Sequence, residues 1–166
     1  ASPLKLGICG WAQAGKDTAA EYLASITPLV YTAGTSYWAR FLMFEYYQRT
    51  QPGRYADPMD CWNDRYNNRE AWAEEIARHN WKDPVKLYRE CLEDQNILTG
   101  VRWYHEHQAI KKSGLCDLWI WIENKRVKRE STCQITAEDC DITILNNSTP
   151  EDFRRRLERF ARGLKI

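Results

Sequence analysis

The sequence has no apolar run approaching the roughly 18 residues that a membrane span needs, the longest being Leu118 to Ile122. No CxxC pair occurs among Cys9, Cys61, Cys91, Cys116, Cys133 and Cys140. The histidines His79, His105 and His107 complete no zinc spacing with them, so no structural metal is expected. No charged segment leading into an apolar stretch marks a secretory signal. The thiols are therefore expected to be free, in a reducing cytoplasm. An excess of one charge sign is also missing: 24 basic residues face 23 acidic ones, for a formal net charge of +1. That balance excludes neither nucleic acid nor small anions as ligands, because local clusters decide. A hydrophobic content of 43% excludes a disordered tail, and 166 residues suffice for one domain that buries a core without disulfide staples. No internal repeat or low-complexity tract is present.

The patterning alternates between the two regular periods. Leu4 to Cys9 is a short apolar run ending in glycine, and Lys16 to Ser25 places Ala19, Ala20, Leu23 and Ala24 at helical spacing. Leu29 to Thr32 is a second strand candidate, and Gly34-Thr35-Ser36 then opens a helix expected to run to about Gln48. Gln51 to Pro58 has the composition of a surface loop. Asn67 to His79 and Pro84 to Glu93 have helical composition. Asn96 to Thr99 reads as a strand, and Trp103 to Lys112 as a helix closed by Gly114. Asp117 to Ile122, with Leu118, Trp119, Ile120, Trp121 and Ile122 in succession, is expected to be a central strand covered on both faces. A polar, basic stretch over 123–136, a last strand Ile142 to Leu145 and a helix Pro150 to Arg162 complete the chain. The expected fold is one α/β domain over 1–166, an open parallel sheet of about five strands flanked by helices. Ligands of such sheets bind beyond the carboxyl ends of the strands.

The most specific motif is Gly10-Trp11-Ala12-Gln13-Ala14-Gly15-Lys16-Asp17-Thr18, a G-x4-G-K pattern between a predicted strand and a predicted helix. That context is what a phosphate-binding loop requires. Glycines let the backbone wrap an anion, amide hydrogens and the helix N-terminus supply partial positive charge, and Lys16 supplies a full one. The residue after the lysine is commonly Ser or Thr, which holds magnesium. Here Asp17 stands in that place with Thr18 next, so these two are the candidate Mg2+ ligands. No guanine-recognition NKxD motif occurs and the chain is small for a motor core, which leaves a kinase using ATP.

Asp60 to Trp72 collects carboxylates, arginines and rings. Asp64 is a candidate base for an alcohol acceptor, while Arg65 and Arg69, four apart, would clamp an acceptor phosphate or balance the moving charge. A solvated ion-pair network of Asp64, Arg65, Arg69 and Glu70 is the plain alternative. Trp62 and Tyr37 join Arg65 and Arg69 as candidate acceptor contacts; the rings of Trp62 and Trp72 read first as core, while stacking would fit a nucleobase. Arg102 and Glu106 are spaced to pair with each other, either anchoring the turn or aiming Arg102 at phosphate. His105 and His107 read as exposed helix residues. Arg154, Arg155, Arg156, Arg159 and Arg162 are too many for a buried role and offer contacts to a polyanion.

On GKDT with its strand and helix, on Gly100-Val101-Arg102 to Glu106, and on Asp141 to Asn147 before the last helix, the chain resembles the phage-type P-loop deoxynucleoside monophosphate kinases. The middle departs from that pattern. Gly100 stands where the family carries aspartate, the Asp64-Arg65 cluster replaces a glutamine-and-arginine helix, and Glu123-Asn124-Lys125 replaces an Arg-Pro lid. The resemblance implies an acceptor-side helical insertion over about 33–94 and a short lid over about 123–136. It assigns Arg126, with Lys125, Lys128 and Arg129, to cover the phosphates, and Asn146 with Asn147 to the adenine side of the donor site. The basic run alternatively suits a solvated or nucleic-acid-facing loop. The superfamily also includes phage kinases of 5-hydroxymethyluracil in DNA, and a short lid with a candidate base suits that relative. ATP, Mg2+ and either modified DNA or a deoxynucleoside monophosphate are then the expected partners, inside a phage-infected cell. The catalytic set would be Lys16, Asp64, Arg65, Arg102 and Arg126. A non-catalytic nucleotide switch is the remaining reading.

Overall fold

The computed structural model describes residues 4–166. Four strands, β1 (Leu6–Cys9), β2 (Ile97–Leu98), β3 (Leu118–Glu123) and β4 (Ile142–Leu145), form one sheet in the order β2-β1-β3-β4, and every pairing is parallel. The helices are α1 (Lys16–Ile26), α2 (Thr35–Trp38), α3 (Arg40–Thr50), α4 (Pro58–Asn63), α5 (Arg69–His79), α6 (Lys86–Asp94), α7 (Tyr104–Ser113) and α8 (Pro150–Gly163). This is the expected open α/β sheet, with four strands in place of about five. The missing member is Leu29 to Thr32. Its backbone runs extended beside Gln95 and Asn96, but side-chain amides replace most of a ladder. Asn96 N–H donates to the Val30 carbonyl at 2.7 Å, while Asn96 Oδ1 accepts from Val30 N–H and Gln95 Oε1 from Thr32 N–H.

The apolar run of β3 is explained by its place between β1 and β4. Ile120 and Ile122 enter the core made with α1 and α8, among Ala19, Ala20, Leu23, Phe153 and Leu157. Trp119 and Trp121 enter the core on the other face, among Tyr88, Cys91, Leu92 and Ile110 of α6 and α7. One strand buried on both sides leaves no polar position in its middle. Opposite Trp119 in register stands Gly7, where any Cβ would overlap the indole ring. The bulky strand therefore requires its neighbour to have no side chain there.

The insertion over 33–94 has its own core of Ala39, Met43, Tyr47, Cys61, Trp72 and Leu87. The helix expected from Thr35 to about Gln48 is broken at Ala39, whose N–H turns back to the Ser36 carbonyl at 3.1 Å before α3 begins. Helix α4 starts at Pro58, within the expected loop end, because Asp57 caps it by accepting from Asp60 N–H at 2.8 Å. The helix expected from Asn67 begins at Arg69 and is preceded by a 3-10 turn, Arg65–Asn68. Arg65 and Arg69 thus do not share one regular helix. The stretch over 123–136 is pinned: Cys133 and Ile135 are buried, and Gln134 N–H donates to the Arg102 carbonyl at 2.7 Å. No helix among the described residues is long and apolar enough to cross a membrane.

Candidate phosphate-binding site

The loop Gly10 to Gly15 leaves the carboxyl end of the internal strand β1 and feeds α1, whose first residue is Lys16. Gln13 and Gly15 both have positive φ, 66° and 111°, which folds the loop tightly enough to turn back on itself. Gly15 is required twice over: its backbone lies in the left-handed region, and a Cβ would come within 2.7 Å of Asn146 Nδ2. Asn146 Nδ2 donates to the Ala14 carbonyl at 2.8 Å, so this side chain, just after β4, supports the loop. That contact was not visible in the sequence, where Asn146 is a candidate for the donor base.

A carboxylate already sits on the loop. Glu130 Oε2 accepts from Ala12 N–H at 2.9 Å, while Glu130 Oε1 pairs with Arg102 Nε at 3.5 Å and accepts from the Thr132 hydroxyl at 3.0 Å. The Ala12 amide is thereby engaged by an anionic group. Arg102 is therefore paired to Glu130, correcting the expected Arg102–Glu106 pair. Glu106 instead accepts from the Tyr88 hydroxyl, and burial pushes its carboxyl upward despite that bond. Arg126, assigned to the lid, lies at the foot of the same stretch: its Nε donates to Asn124 Oδ1 at 3.3 Å and its Nη2 to the Asn146 carbonyl at 3.2 Å. It thus stands one residue contact from the loop support.

Asp17 and Thr18 open α1 with exposed oxygens. Asp17 Oδ1 accepts from the Tyr31 hydroxyl at 3.0 Å, and that hydroxyl also lies 3.0 Å from Thr99 Oγ1. Burial drives the Tyr31 phenol upward, so it remains a donor to the carboxylate. Hard oxygen donors at the first turn of a helix fit a magnesium ion, and Asp17 is oriented for the role by Tyr31. Tyr31 and Thr99 have no local signal, since their meeting depends on the extended stretch 29–32 lying beside Gln95 and Asn96.

Thr99 also links the loop to the insertion. Its carbonyl accepts from Thr35 N–H at 3.3 Å, at the start of α2. From α2 onward the candidate acceptor residues do gather. Tyr37 meets Trp62 edge-on with ring centroids 5.3 Å apart, Arg65 lies over Trp62 at 4.0 Å and over Tyr66 at 4.3 Å, and Arg69 lies 5.2 Å from the Tyr66 ring. Arg40 adds a third cation to the array, over Tyr37 at 3.7 Å. Tyr66 is 63% exposed and Phe41 61%, so this array of rings and guanidinium groups is open to solvent. Arg40, Phe41 and Tyr66 are the members that spacing alone had not marked. Trp72 goes to the core of the insertion, 5% exposed.

Asp64 has a different setting from a free base. Its carboxylate accepts from the Tyr55 hydroxyl at 2.5 Å, from Asn67 Nδ2 at 2.6 Å and from Asn68 Nδ2 at 3.2 Å, with Arg54 Nη2 at 3.9 Å. The Tyr55 hydroxyl first, then Asn67, hold its carboxyl below the usual carboxylate range. Three donors make Asp64 the organiser of the turn between α4 and α5, and they disfavour its taking a further proton. The plain alternative of an ion-pair network is also not what forms: Arg65 and Arg69 stack on rings. A groove of about 600 Å³ lined by Arg78, Trp81, Lys82 and Arg89 lies at the α5–α6 connection and includes none of the residues around the loop.

Compared with protein-family models and with curated proteins, the chain finds no match. The site is therefore read from its own geometry.

Proposed function

We propose that this chain is an ATP-dependent P-loop kinase that transfers the γ-phosphate to the hydroxymethyl group of 5-hydroxymethyluracil in DNA. The observation that carries the donor half is the tight loop at the carboxyl end of β1, with Gly15 at φ 111° handing over to Lys16 at the start of a helix. Backbone amides, a helix N-terminus and one ammonium group are the parts that hold a triphosphate, and the Glu130 carboxylate on the Ala12 amide supports the affinity of this loop for anions. Asp17 and Thr18 would hold the magnesium ion, which neutralises phosphate charge when bound.

For the acceptor half, the open array of Tyr37, Trp62, Tyr66, Arg65 and Arg69 supports a polymeric nucleic acid, since rings stack on bases and guanidinium groups meet phosphates without enclosing the ligand. A loose phosphoryl-transfer transition state depends on positioning and charge neutralisation more than on a strong base. An alcohol acceptor is thus compatible with Asp64 serving the turn. The occupied carboxylate of Asp64 favours a second reading, a deoxynucleoside monophosphate acceptor, whose phosphate needs no base at all.

Transfer of labelled phosphate from ATP to hydroxymethyluracil DNA, to a panel of deoxynucleoside monophosphates and to no acceptor separates the readings. Label in DNA is the expected result. Label in a monophosphate alone selects the second reading, and ATP binding with no transfer to either selects a nucleotide switch.

A further inference from the structure

Cys9 is the last residue of β1 and directly precedes Gly10 of the loop. Around it the fold assembles donors that lie far apart in the chain. One ligating atom each from Cys9, from His107 of α7 and from Cys140, just before β4, all lie within 4.8 Å of one another. His107, expected to be exposed, is instead 0% exposed and packs against Trp119 with ring centroids 4.3 Å apart. Its Nε2 is buried with no hydrogen-bond partner among the described residues. A fully buried imidazole nitrogen left unpaired carries a desolvation cost, which asks for a ligand that would satisfy it.

We propose that Cys9, His107 and Cys140 form a binding site for a thiophilic divalent cation of the zinc class at the root of the phosphate loop. Two thiolates and an imidazole are the donor set this class prefers, and three protein ligands leave one tetrahedral position for water. Zinc–sulfur bonds of about 2.3 Å and zinc–nitrogen bonds of about 2.0 Å place tetrahedral ligand atoms closer together than 4.8 Å. The site therefore closes by a contraction of side chains, with no rearrangement of strands. Each thiol gives its proton to solvent as it ligates. Two thiolates cancel the charge of a dication, and the ion adds no net repulsion to the Lys16 ammonium nearby. Bound there, the cation ties the stem of the loop to α7 and to the entry of β4, adding to the Lys111 Nζ bond to the Asp139 carbonyl at 3.3 Å.

The inference stands apart from the kinase reading and is tested without activity. Reduced full-length protein is titrated with Co2+, then with Zn2+ against a chromophoric chelator, while thermal unfolding is followed. Expected are the visible bands and thiolate charge-transfer band of a tetrahedral cobalt centre at one equivalent, their displacement by Zn2+, and a rise in unfolding midpoint with metal. Cys140→Ser, at a half-buried position that tolerates a smaller atom, weakens Zn2+ binding by more than about 100-fold, beyond the loss typical of outer partners. Cys116→Ser leaves it unchanged. The absence of a charge-transfer band in folded, reduced protein overturns the proposal. So does equal Zn2+ affinity in Cys140→Ser or Cys140→Ala, with folding of each variant checked by circular dichroism.

Discussion

The candidate phosphate loop is held by main chain and by two side chains, Asn146 just after β4 and the carboxylate of Glu130, whereas the candidate acceptor array is held by rings and guanidinium groups stacked on one another. The first arrangement depends on φ angles and on close approach, so its contact points are Gly or Ala and its spacing is fixed. The second depends on contact between side chains drawn from α2, α3, α4, the 3-10 turn after it and the start of α5, and many spacings would serve. A site built from backbone leaves a strict pattern in the sequence. A site built from stacking leaves only a local enrichment.

Substitutions that act on one half and spare the other separate the two. The largest effect is expected from Lys16→Ala, which on the kinase reading would remove a full charge from beside the transferring phosphoryl group. Phosphotransfer should fall by at least about 100-fold while circular dichroism is unchanged. Gly15→Ala follows, because a Cβ meets Asn146 and the backbone stays at φ 111°. A loss of about 1–3 kcal/mol in loop stability is expected, read as weaker ATP binding with acceptor binding intact. Arg65→Lys keeps the charge but loses the planar stack on Trp62 and Tyr66. Its signature is a rise of about fivefold in acceptor KM, with ATP KM unmoved. Glu130→Gln removes a negative charge from the Ala12 amide and releases Arg102, and ATP should bind roughly fivefold tighter, from about 1 kcal/mol of relieved repulsion.

The smallest effect concerns Asp64. Its carboxyl titrates below the ordinary value, so its contribution to stability is whole above about pH 4 and is lost as pH falls through the lowered value. Urea midpoints of Asp64→Asn should therefore lack part of the acid-side decline shown by the parent chain. A variant that keeps the full decline would show that Tyr55, Asn67 and Asn68 do not act through this carboxylate.

Much of the fold was legible because each buried strand carries its own signature: Leu6–Cys9, Leu118–Glu123 and Ile142–Leu145 were placed within two residues of their ends. Leu29 to Thr32 misled because its apolar composition is that of a strand, while its hydrogen bonds are made by the side chains of Gln95 and Asn96. His107 misled for a related reason. It reads as an exposed helix residue, but its ring packs against Trp119. Arg102 pairing with Glu130 was out of reach, since Glu130 comes from a stretch whose path over the loop has no local code. The members of the acceptor array were partly named, through Tyr37, Trp62, Arg65 and Arg69. Their partners Arg40 and Tyr66 follow only from the break at Ala39 and the 3-10 turn.

The indole of Trp11, itself part of the loop, meets that of Trp121 edge-on with centroids 5.9 Å apart. Two such chromophores at right angles couple optically, and only one of them is anchored in the sheet. Shifts of the loop are thereby written into the near-ultraviolet circular dichroism of the unlabelled protein, giving it an intrinsic gauge of what its first glycines are doing.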